Sequence, residues 1–251
     1  MHRAFFRFYE ELNDFLPEEK RKVRFTHFYT GRTSVKDMIE SLGVPHSEID
    51  LILVNGHSAD FSYIVQDDDD ISVYPVFESF DLRDLTHLRQ KPLRKPKFVA
   101  DVHLGKLARY MRMLGLDTIY DNNYAKDDLV NISIEKKRTI LTRDRNILKR
   151  NDVTHGYWVR SEEPIEQAHE VIERFHLEGE LKEFSRCMEC NGVLETVNKE
   201  DILEELPPKV EQSQTEFYRC PNCRRIYWKG THYEKMKKLI GKIEGNQNPG
   251  A

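Results

Sequence analysis

The sequence lacks any apolar run that approaches the roughly 18 residues of a membrane-spanning helix. Its first residues, MHRAFFR, lack the apolar core of a signal peptide. It also lacks an excess of either charge, because 39 Lys and Arg residues stand against 43 Asp and Glu residues. Nucleic-acid binding would therefore depend on local basic patches and not on an overall basic surface. These absences predict a cytoplasmic globular protein without membrane contact.

Cysteine is also scarce, and its placement is informative. The four cysteines all lie in the last third of the chain, as Cys187-x-x-Cys190 and Cys220-x-x-Cys223. Two such pairs are typical of a zinc ribbon, in which four thiolates close a tetrahedral sphere and make the zinc structural. Redox-active pairs and disulfides are the alternatives, but a cytoplasmic chain with no spare cysteine favours zinc. We predict a zinc ribbon over residues 179–240.

Basic and aromatic side chains surround these cysteines. Such a mixture suits single-stranded or looped RNA, through phosphate contacts and base stacking. Aromatic residues are also the normal packing of a small ribbon, so we expect RNA contact with packing as the alternative. The residues concerned are Arg186, Arg219, Arg224, Arg225 and Lys229, with Tyr218, Tyr227 and Trp228 among them.

Residues 97–150 alternate short apolar runs with helical patterns, and carboxylates follow the apolar runs. The first three runs lead to Asp101, Asp121 and, after one arginine, Asp144. Strands that alternate with helices predict crossover units and a parallel sheet. Ligands of such sheets bind beyond the carboxyl ends of the strands. We therefore predict that these acids converge on one edge, where they can hold a hard divalent cation.

The helix predicted after Asp101 carries apolar residues at spacings of three and four and ends at Gly115. Its other face carries Lys106, Arg109 and Arg112. This stripe fits a solvated helix face as well as a surface that binds substrate phosphates, and both interpretations stay open. The strand and helix patterns continue to about residue 177, which predicts a doubly wound α/β domain over residues 97–178.

The N-terminal segment, residues 1–80, reads as strands around one helix, with Asn55-Gly56 as a hairpin turn. The stretch VKDMIESLGVPHSEIDLILVNGHSADFSYIVQDDDDISVYPVF resembles the ubiquitin-like (β-grasp) sulfur carriers. Those carriers end in a free Gly-Gly, whereas this chain continues through FESF. Carrier chemistry is therefore disfavoured, and we expect a docking or regulatory module with a protein partner. The acidic run at residues 67–70 predicts a solvated turn.

Two further segments read as connections. Residues 81–96 combine prolines with basic side chains and predict a linker, which either contacts phosphates or is merely solvated. Residues 241–251 are polar and predict a disordered tail.

From residue 98 onward the chain resembles the Mut-seven C-terminal RNase family, a branch of the PIN-like nucleases. The resemblance rests on DVHLGKLARYMRMLGLDTIYD, the acid pair at 127 and 128, ILTRDRNILKR, SRCMECNG and YRCPNCRRIYWKGTHY. It implies a PIN-like fold and metal-dependent ribonuclease activity, often behind a ubiquitin-like domain. It also implies that an acid at the start of the second helix supplies a ligand. Asp128 matches that position best, with Asp127 beside it.

Carboxylates that hold Mg²⁺ or Mn²⁺ can make water nucleophilic and stabilise charge on a leaving oxygen. We therefore expect Asp101, Asp128 and Asp144 to be the catalytic and metal-binding acids, with Asp121 and Asp127 as possible additions. Thr142 and Arg143 lie beside Asp144 and can bind water or phosphate.

Each acid also has a structural interpretation, as a helix cap, a turn residue or an ion-pair partner. We expect a metal-dependent ribonuclease that cuts as an endonuclease. The alternative is a non-catalytic RNA- or protein-binding adaptor that retains the fold.

Overall fold

The computed structural model of the chain describes residues 1–75 and 96–244. The β-strands of these residues are, in chain order, β1 (His2–Phe8), β2 (Phe25–Tyr29), β3 (Ile49–Val54), β4 (His57–Ala59), β5 (Asp70–Pro75), β6 (Phe98–Ala100), β7 (Thr118–Ile119), β8 (Thr139–Thr142), β9 (Gly156–Trp158), β10 (Glu195–Val197), β11 (Phe217–Arg219) and β12 (Ile226–Trp228). The α-helices are α1 (Val35–Ser41), α2 (Gly105–Met113), α3 (Lys126–Lys136), α4 (Arg145–Leu148), α5 (Pro164–Arg174), α6 (Pro208–Ser213) and α7 (Thr231–Ile243).

These elements form two units. Of the described residues, 1–75 and 144–158 belong to the first unit, and 96–143 and 159–244 belong to the second. The predicted linker lies outside the described residues except for Pro96, and so does the predicted tail from residue 245 onward. Residues 241–243, which we assigned to that tail, are the end of α7. In the described ranges, no helix is both long and apolar enough to cross a membrane.

The first unit contains a five-stranded mixed sheet in the order β2-β1-β5-β3-β4. The neighbouring strands β1 and β5 pair in parallel, and the other pairs are antiparallel. Alternation along β1 buries Phe6 and Phe8 against Met38 and Ile39 of α1. The predicted hairpin turn at Asn55-Gly56 is confirmed, because both residues have positive φ angles, 51° and 81°. This is the ubiquitin-like β-grasp region.

One residue of the acidic run at 67–70 is less solvated than we predicted. Asp69 is only 4% exposed. Its carboxylate accepts hydrogen bonds from Asn55 Nδ2 at 2.8 Å, from the Tyr63 hydroxyl at 3.0 Å and from the Gln66 N–H at 2.7 Å. The prediction of a solvated turn is therefore wrong for Asp69. Its hydrogen bonds join the β3–β4 hairpin to the turn that precedes β5.

The second unit is built on parallel strands in the order β7-β6-β8. Phe98 of β6 pairs with Thr118 and Thr139. Strands β6 and β8 are buried along their length, as expected for a parallel sheet covered on both faces. Helix α2 packs against α5. Helix α2 ends at Met113, and Gly115, two residues later, has a φ of +87°, which suits glycine.

The C-terminal part of this unit is a three-stranded antiparallel sheet in the order β10-β11-β12. Its small core consists of Ile202, Leu206 and Phe217, with Trp228 packed beside them. A 3-10 helix, Lys199–Glu205, precedes α6. The predicted fold class is confirmed: a mixed α/β chain with a parallel sheet, a ubiquitin-like N-terminal region and four clustered cysteines.

Candidate functional site

The carboxyl-terminal edge of β6 and β8 brings Asp101 and Thr142 together. The strand register places them side by side, and the Asp101 N–H donates to Leu141 O at 2.9 Å. The Thr142 hydroxyl donates to Asp101 Oδ2 at 2.6 Å, and the Val102 N–H donates to Oδ1 at 2.6 Å. Thr142 is fully buried, while Asp101 is 8% exposed. Both oxygens of this strand-end carboxylate are thus held in a fixed orientation.

Two other predicted acids have visible structural roles. Asp128 is the third residue of α3, and its Oδ2 accepts from the Ala125 N–H at 2.9 Å. Asp121 Oδ1 accepts from both the backbone N–H and the side-chain amide of Asn123, at 2.9 and 3.1 Å. Asp121, Asp127 and Asp128 are all exposed to solvent. The cap interpretation holds for Asp128 and the turn interpretation for Asp121, yet the exposure of all three residues leaves them accessible to a ligand.

Asp144 is the N-cap of α4, where its Oδ1 accepts from the Asn146 N–H at 2.9 Å. It follows Thr142 by two residues in the chain. A cap occupies one lone pair of a carboxylate, which has about four acceptor positions. Capping and metal binding are therefore compatible for Asp144.

The predicted substrate-binding arginines differ in their surroundings. Arg109 is exposed on α2. The Arg143 guanidinium donates to the carbonyl oxygens of Arg160, at 3.0 Å, and Ser161, and to Glu162 Oε1 at 2.8 Å. Arg143 therefore ties the end of β8 to the loop at residues 160–162.

Arg112 does not share the exposed stripe that we expected for it, because it is only 4% exposed. Its guanidinium donates to Thr118 O at 2.8 Å and Tyr120 O at 3.4 Å. It also donates to Glu189 O at 2.6 Å and Met188 O at 3.1 Å, between the first two cysteines. Burial lowers the Arg112 pKa. The structure thus makes this side chain a link between the parallel sheet and the first cysteine pair.

The four cysteines form a compact group. Their sulfur atoms all lie within 4.8 Å of one another, and within residues 1–75 and 96–244 this is the one such group of three or more metal-ligating side chains. Cys187 Sγ lies 3.5 Å from Cys223 Sγ, and Cys190 Sγ lies 3.3 Å from Cys220 Sγ. Sulfur atoms about 2.3 Å from a tetrahedral zinc would lie about 3.8 Å apart, so the group fits a zinc ion.

Both cysteine pairs are on turns of the same shape. The N–H of Asn191 donates to Cys187 O at 2.9 Å, and the N–H of Arg224 donates to Cys220 O at 2.9 Å. Asn191 and Arg224 each follow the first cysteine of their pair by four residues, and both have positive φ angles, 68° and 61°. A Cβ at Gly192 would lie 2.9 Å from Cys220 Sγ, so only glycine lets the two turns approach this closely. We call these turns the first and second knuckle.

The thiols of the knuckles differ in acidity. Burial opposes ionisation of Cys187, but hydrogen bonds from the Tyr227 hydroxyl, at 3.0 Å, and from backbone N–H groups outweigh it and lower its pKa to about 7. Burial raises the pKa of Cys190 to about 12 and also raises that of Cys223. Neighbouring thiolates repel each other, so a cation is required to hold all four in the ionised form.

A second link joins the first knuckle to the parallel sheet, and sequence reasoning missed its residues. Asn191 Nδ2 donates to Asp117 Oδ1 at 2.7 Å, and Asn191 Oδ1 accepts from the Thr118 N–H at 3.0 Å. Arg138, just before β8, donates to Asp117 Oδ1 at 2.7 Å. Burial opposes ionisation of Asp117, yet these bonds and the charge of Arg186 lower its pKa. An asparagine directly after the CxxC pair is the signal that could have indicated this contact.

Many basic side chains of the ribbon are paired with acids. Arg219 contacts Glu205, Arg225 lies 3.0 Å from Glu189, and Lys229 lies 2.6 Å from Glu216. Other members of the expected group point inward: Arg186 donates to Gly115 O and Asn191 O, and Tyr227 contacts Cys187. This arrangement neutralises local charge and supports the packing interpretation, while Arg224 stays exposed.

Two family models match the chain. The family model for the Mut7-C ubiquitin matches residues 1–81, and the model for the Mut7-C RNAse domain matches residues 96–240. No curated protein and no solved structure matches the chain. Because residues 96–240 make up more than half of the 251 residues, the chain belongs to the Mut7-C RNAse domain family and has a ubiquitin-like domain before it.

Proposed function

We propose that this protein is a metal-dependent endoribonuclease that hydrolyses RNA phosphodiester bonds at Asp101, Asp128 and Asp144. Membership in an RNase family supports a nuclease-type function. The observation that carries the finer proposal is the Asp101–Thr142 pair at the carboxyl end of the parallel strands. In sheets of this kind, ligands bind at that end.

Carboxylate donors suit a hard divalent cation, which would have to draw these acids together, because the cysteines are the one compact group of three or more ligating side chains in the described residues. Mg²⁺ or Mn²⁺ binds carboxylate oxygens and, when bound, activates water and stabilises charge on the leaving oxygen. Asp101 would provide an oriented anionic ligand, because the Thr142 hydroxyl and the Val102 N–H hold its two oxygens. Asp128 and Asp144 are the other two proposed metal ligands. Asp144 is included because it follows Thr142 by only two residues in the chain. Asp121 and Asp127 are the reserve ligands.

Substrate binding and stability are assigned to other residues. Arg109 is exposed on the helix that follows Asp101, where it can contact RNA phosphates. Arg143 holds the loop beyond β9 beside this edge. The four cysteines would hold a structural zinc, since four thiolates leave no open position for chemistry. The ubiquitin-like domain is the candidate contact for a protein partner.

The test is cleavage of a structured RNA with Mn²⁺ or Mg²⁺ by the wild type, Asp101→Asn and Asp144→Asn. We expect each substitution to lower the cleavage rate by about 100-fold or more, because a carboxylate ligand becomes a neutral amide. Glu135→Gln is the matched control, since Glu135 is an exposed acid on α3 outside the proposed site. Equal cleavage by all four proteins would refute the assignment of the site. No cleavage by any of them would favour the adaptor.

The Thr142 hydroxyl allows a finer test of the same site. Thr142→Val keeps the shape of the side chain and removes its bond to Asp101 Oδ2. Partners that orient a metal ligand typically contribute about 10- to 100-fold to affinity or activity. We expect the Mn²⁺ concentration for half-maximal cleavage to rise by about 10-fold. An unchanged metal dependence would show that Asp101 does not act through this arrangement.

A further inference from the structure

The segment at residues 145–158 has no role in the function proposed above. It lies within the residues that match the RNAse model, yet it belongs to the same compact unit as residues 1–75. It begins directly after Asp144. We propose that the ubiquitin-like region positions the catalytic Asp144 by holding this segment, so that it is a built-in part of the nuclease and not only a docking module. This inference rests on the proposed function of Asp144.

Two side chains of the 3-10 helix His46–Glu48 bind the backbone of the segment. The Ser47 hydroxyl donates to Leu148 O at 3.0 Å, and Glu48 Oε1 accepts from the Trp158 N–H at 2.6 Å. Ser47 and Glu48 are each only 1% exposed. Hydrogen bonds to a buried carboxylate are stronger than those between neutral groups, and water cannot replace them. The end of α4 and the end of β9 are therefore both fixed to this short helix.

His46 fixes the middle of the segment. Its Nε2 lies 2.9 Å from Val153 O, and its Nδ1 lies 2.6 Å from Glu40 Oε1. Because a carbonyl oxygen can only accept, Nε2 carries a proton and donates it to Val153 O. Lys149 Nζ also donates to Glu40 O at 3.2 Å. This stretch of the segment is thus held by side chains and backbone of residues 40–46.

The residue that follows Asp144 is held as well. The Arg145 guanidinium lies 3.7 Å from the centre of the Trp158 ring and 5.1 Å from that of Phe15. The Phe15 and Trp158 rings are 4.9 Å apart, and Trp158 packs against the core of the β-grasp sheet. A Cβ at Gly156 would lie 2.4 Å from Leu148 Cδ2, so the two ends of the segment are tightly packed together.

These contacts hold the segment at its start, middle and end, and their partners all come from residues 15–48. If residues 145–158 were only loosely attached to residues 15–48, polar side chains as buried as Ser47 and Glu48 would not be needed between them. Displacement of a catalytic group by about 1 Å can reduce a rate by about 100-fold. Glu48 is accordingly a positioning residue for Asp144, although it does not contact the reacting atoms.

The test uses the full chain with Glu48→Ala, Glu48→Gln and, as a control, Glu19→Ala, which removes an exposed acid of the same region. Hydrogen exchange measures protection of the amides at residues 144–158, and steady-state cleavage of a structured RNA with Mn²⁺ gives kcat and KM. For Glu48→Ala we expect about 10-fold faster exchange in this segment and a kcat reduced by about 10-fold or more, with KM nearly unchanged. Glu48→Gln retains an acceptor oxygen and should restore both, and Glu19→Ala should change neither.

Faster exchange with an unchanged kcat would overturn the proposal, and so would unchanged exchange. If Glu48→Ala does not fold, Ser47→Ala replaces it, because it removes one hydroxyl from the same contact and should show the same pattern with smaller changes. A wild type that does not cleave RNA would refute the proposed function, and with it the positioning of a catalytic acid. The exchange data would then still decide, separately, whether Glu48 holds the segment.

Discussion

The link between the first knuckle and the parallel sheet can be tested at Asn191. Asn191→Gly keeps the positive φ of the knuckle but removes both side-chain hydrogen bonds, to Asp117 Oδ1 and from the Thr118 N–H. A bond to a charged group contributes about 1.5–3 kcal/mol and a neutral one about 0.5–1.5 kcal/mol. The added flexibility of glycine in the unfolded chain costs about 0.5–1 kcal/mol, which relief of the left-handed backbone roughly offsets. We expect the free energy of unfolding to fall by about 3 kcal/mol.

The second knuckle supplies the matched control. Arg224 occupies the equivalent position, with a φ of 61° and an exposed side chain. Arg224→Gly makes the same backbone change without removing a bond to the sheet, so we expect its stability to stay within about 1 kcal/mol of the wild type.

The assay is equilibrium urea unfolding of the zinc-loaded full chain, followed by far-ultraviolet circular dichroism, with the zinc content of each variant measured beforehand. Equal zinc content ensures that the comparison concerns the link and not the metal centre. If Asn191→Gly and Arg224→Gly unfold with the same free energy while both retain zinc, the assigned role of Asn191 is refuted.

Three further predictions concern the second unit. Gly115→Ala should destabilise the protein by about 3 kcal/mol or more, because φ is +87° and the new Cβ would lie 2.2 Å from a backbone oxygen. Gly179→Ala is the control: its new Cβ would have no atom within 4 Å, so its melting temperature should stay near that of the wild type. Asp117→Asn should lower stability by about 2 kcal/mol at neutral pH. The pKa of Asp117 is lower in the folded protein than its unfolded value of about 3.9. The stability that ionised Asp117 contributes is therefore present above pH of about 3.9 and is lost as the pH falls through the folded pKa. The free energies of unfolding of the wild type and Asp117→Asn should then converge in acid. A constant difference across that range would contradict this. Tyr227→Phe removes the hydroxyl that contacts Cys187 Sγ and should weaken zinc binding by about 10-fold in competition with a chelator, whereas an unchanged affinity would show that this bond does not matter.

Local patterns were sufficient to predict most elements of the fold. The spacing of apolar residues before Gly115 predicted α2, and the runs at residues 98 and 139 predicted buried parallel strands, as the structure has them. Asn55-Gly56 predicted the hairpin because few residues other than these readily adopt positive φ. The spacing of the cysteines predicted their clustering, since two CxxC pairs together provide the four ligands of one zinc ion.

Contacts between distant residues could not be read in this way. Arg112 has the helical spacing of a surface residue, but its partners at 188 and 189 lie more than 70 positions away in the chain. The burial of Asp69 depends on Asn55 and Tyr63, and its acidic neighbours gave no indication of it. The roles of the aspartates, the bounds of the domains and the cytoplasmic location stay predictions.

The link from Arg112 to the first knuckle has a consequence for the synthesis of the chain. Its partner Met188 is 76 residues further on, so the guanidinium has no carbonyl to bind there until that knuckle has been translated. At 5–20 residues per second, the interval is roughly 4 to 15 seconds. During that time the sheet edge at Thr118 lacks its contacts with residues 188–191. The contacts at this edge of the parallel sheet are thus complete only after the first cysteine pair has been added to the chain.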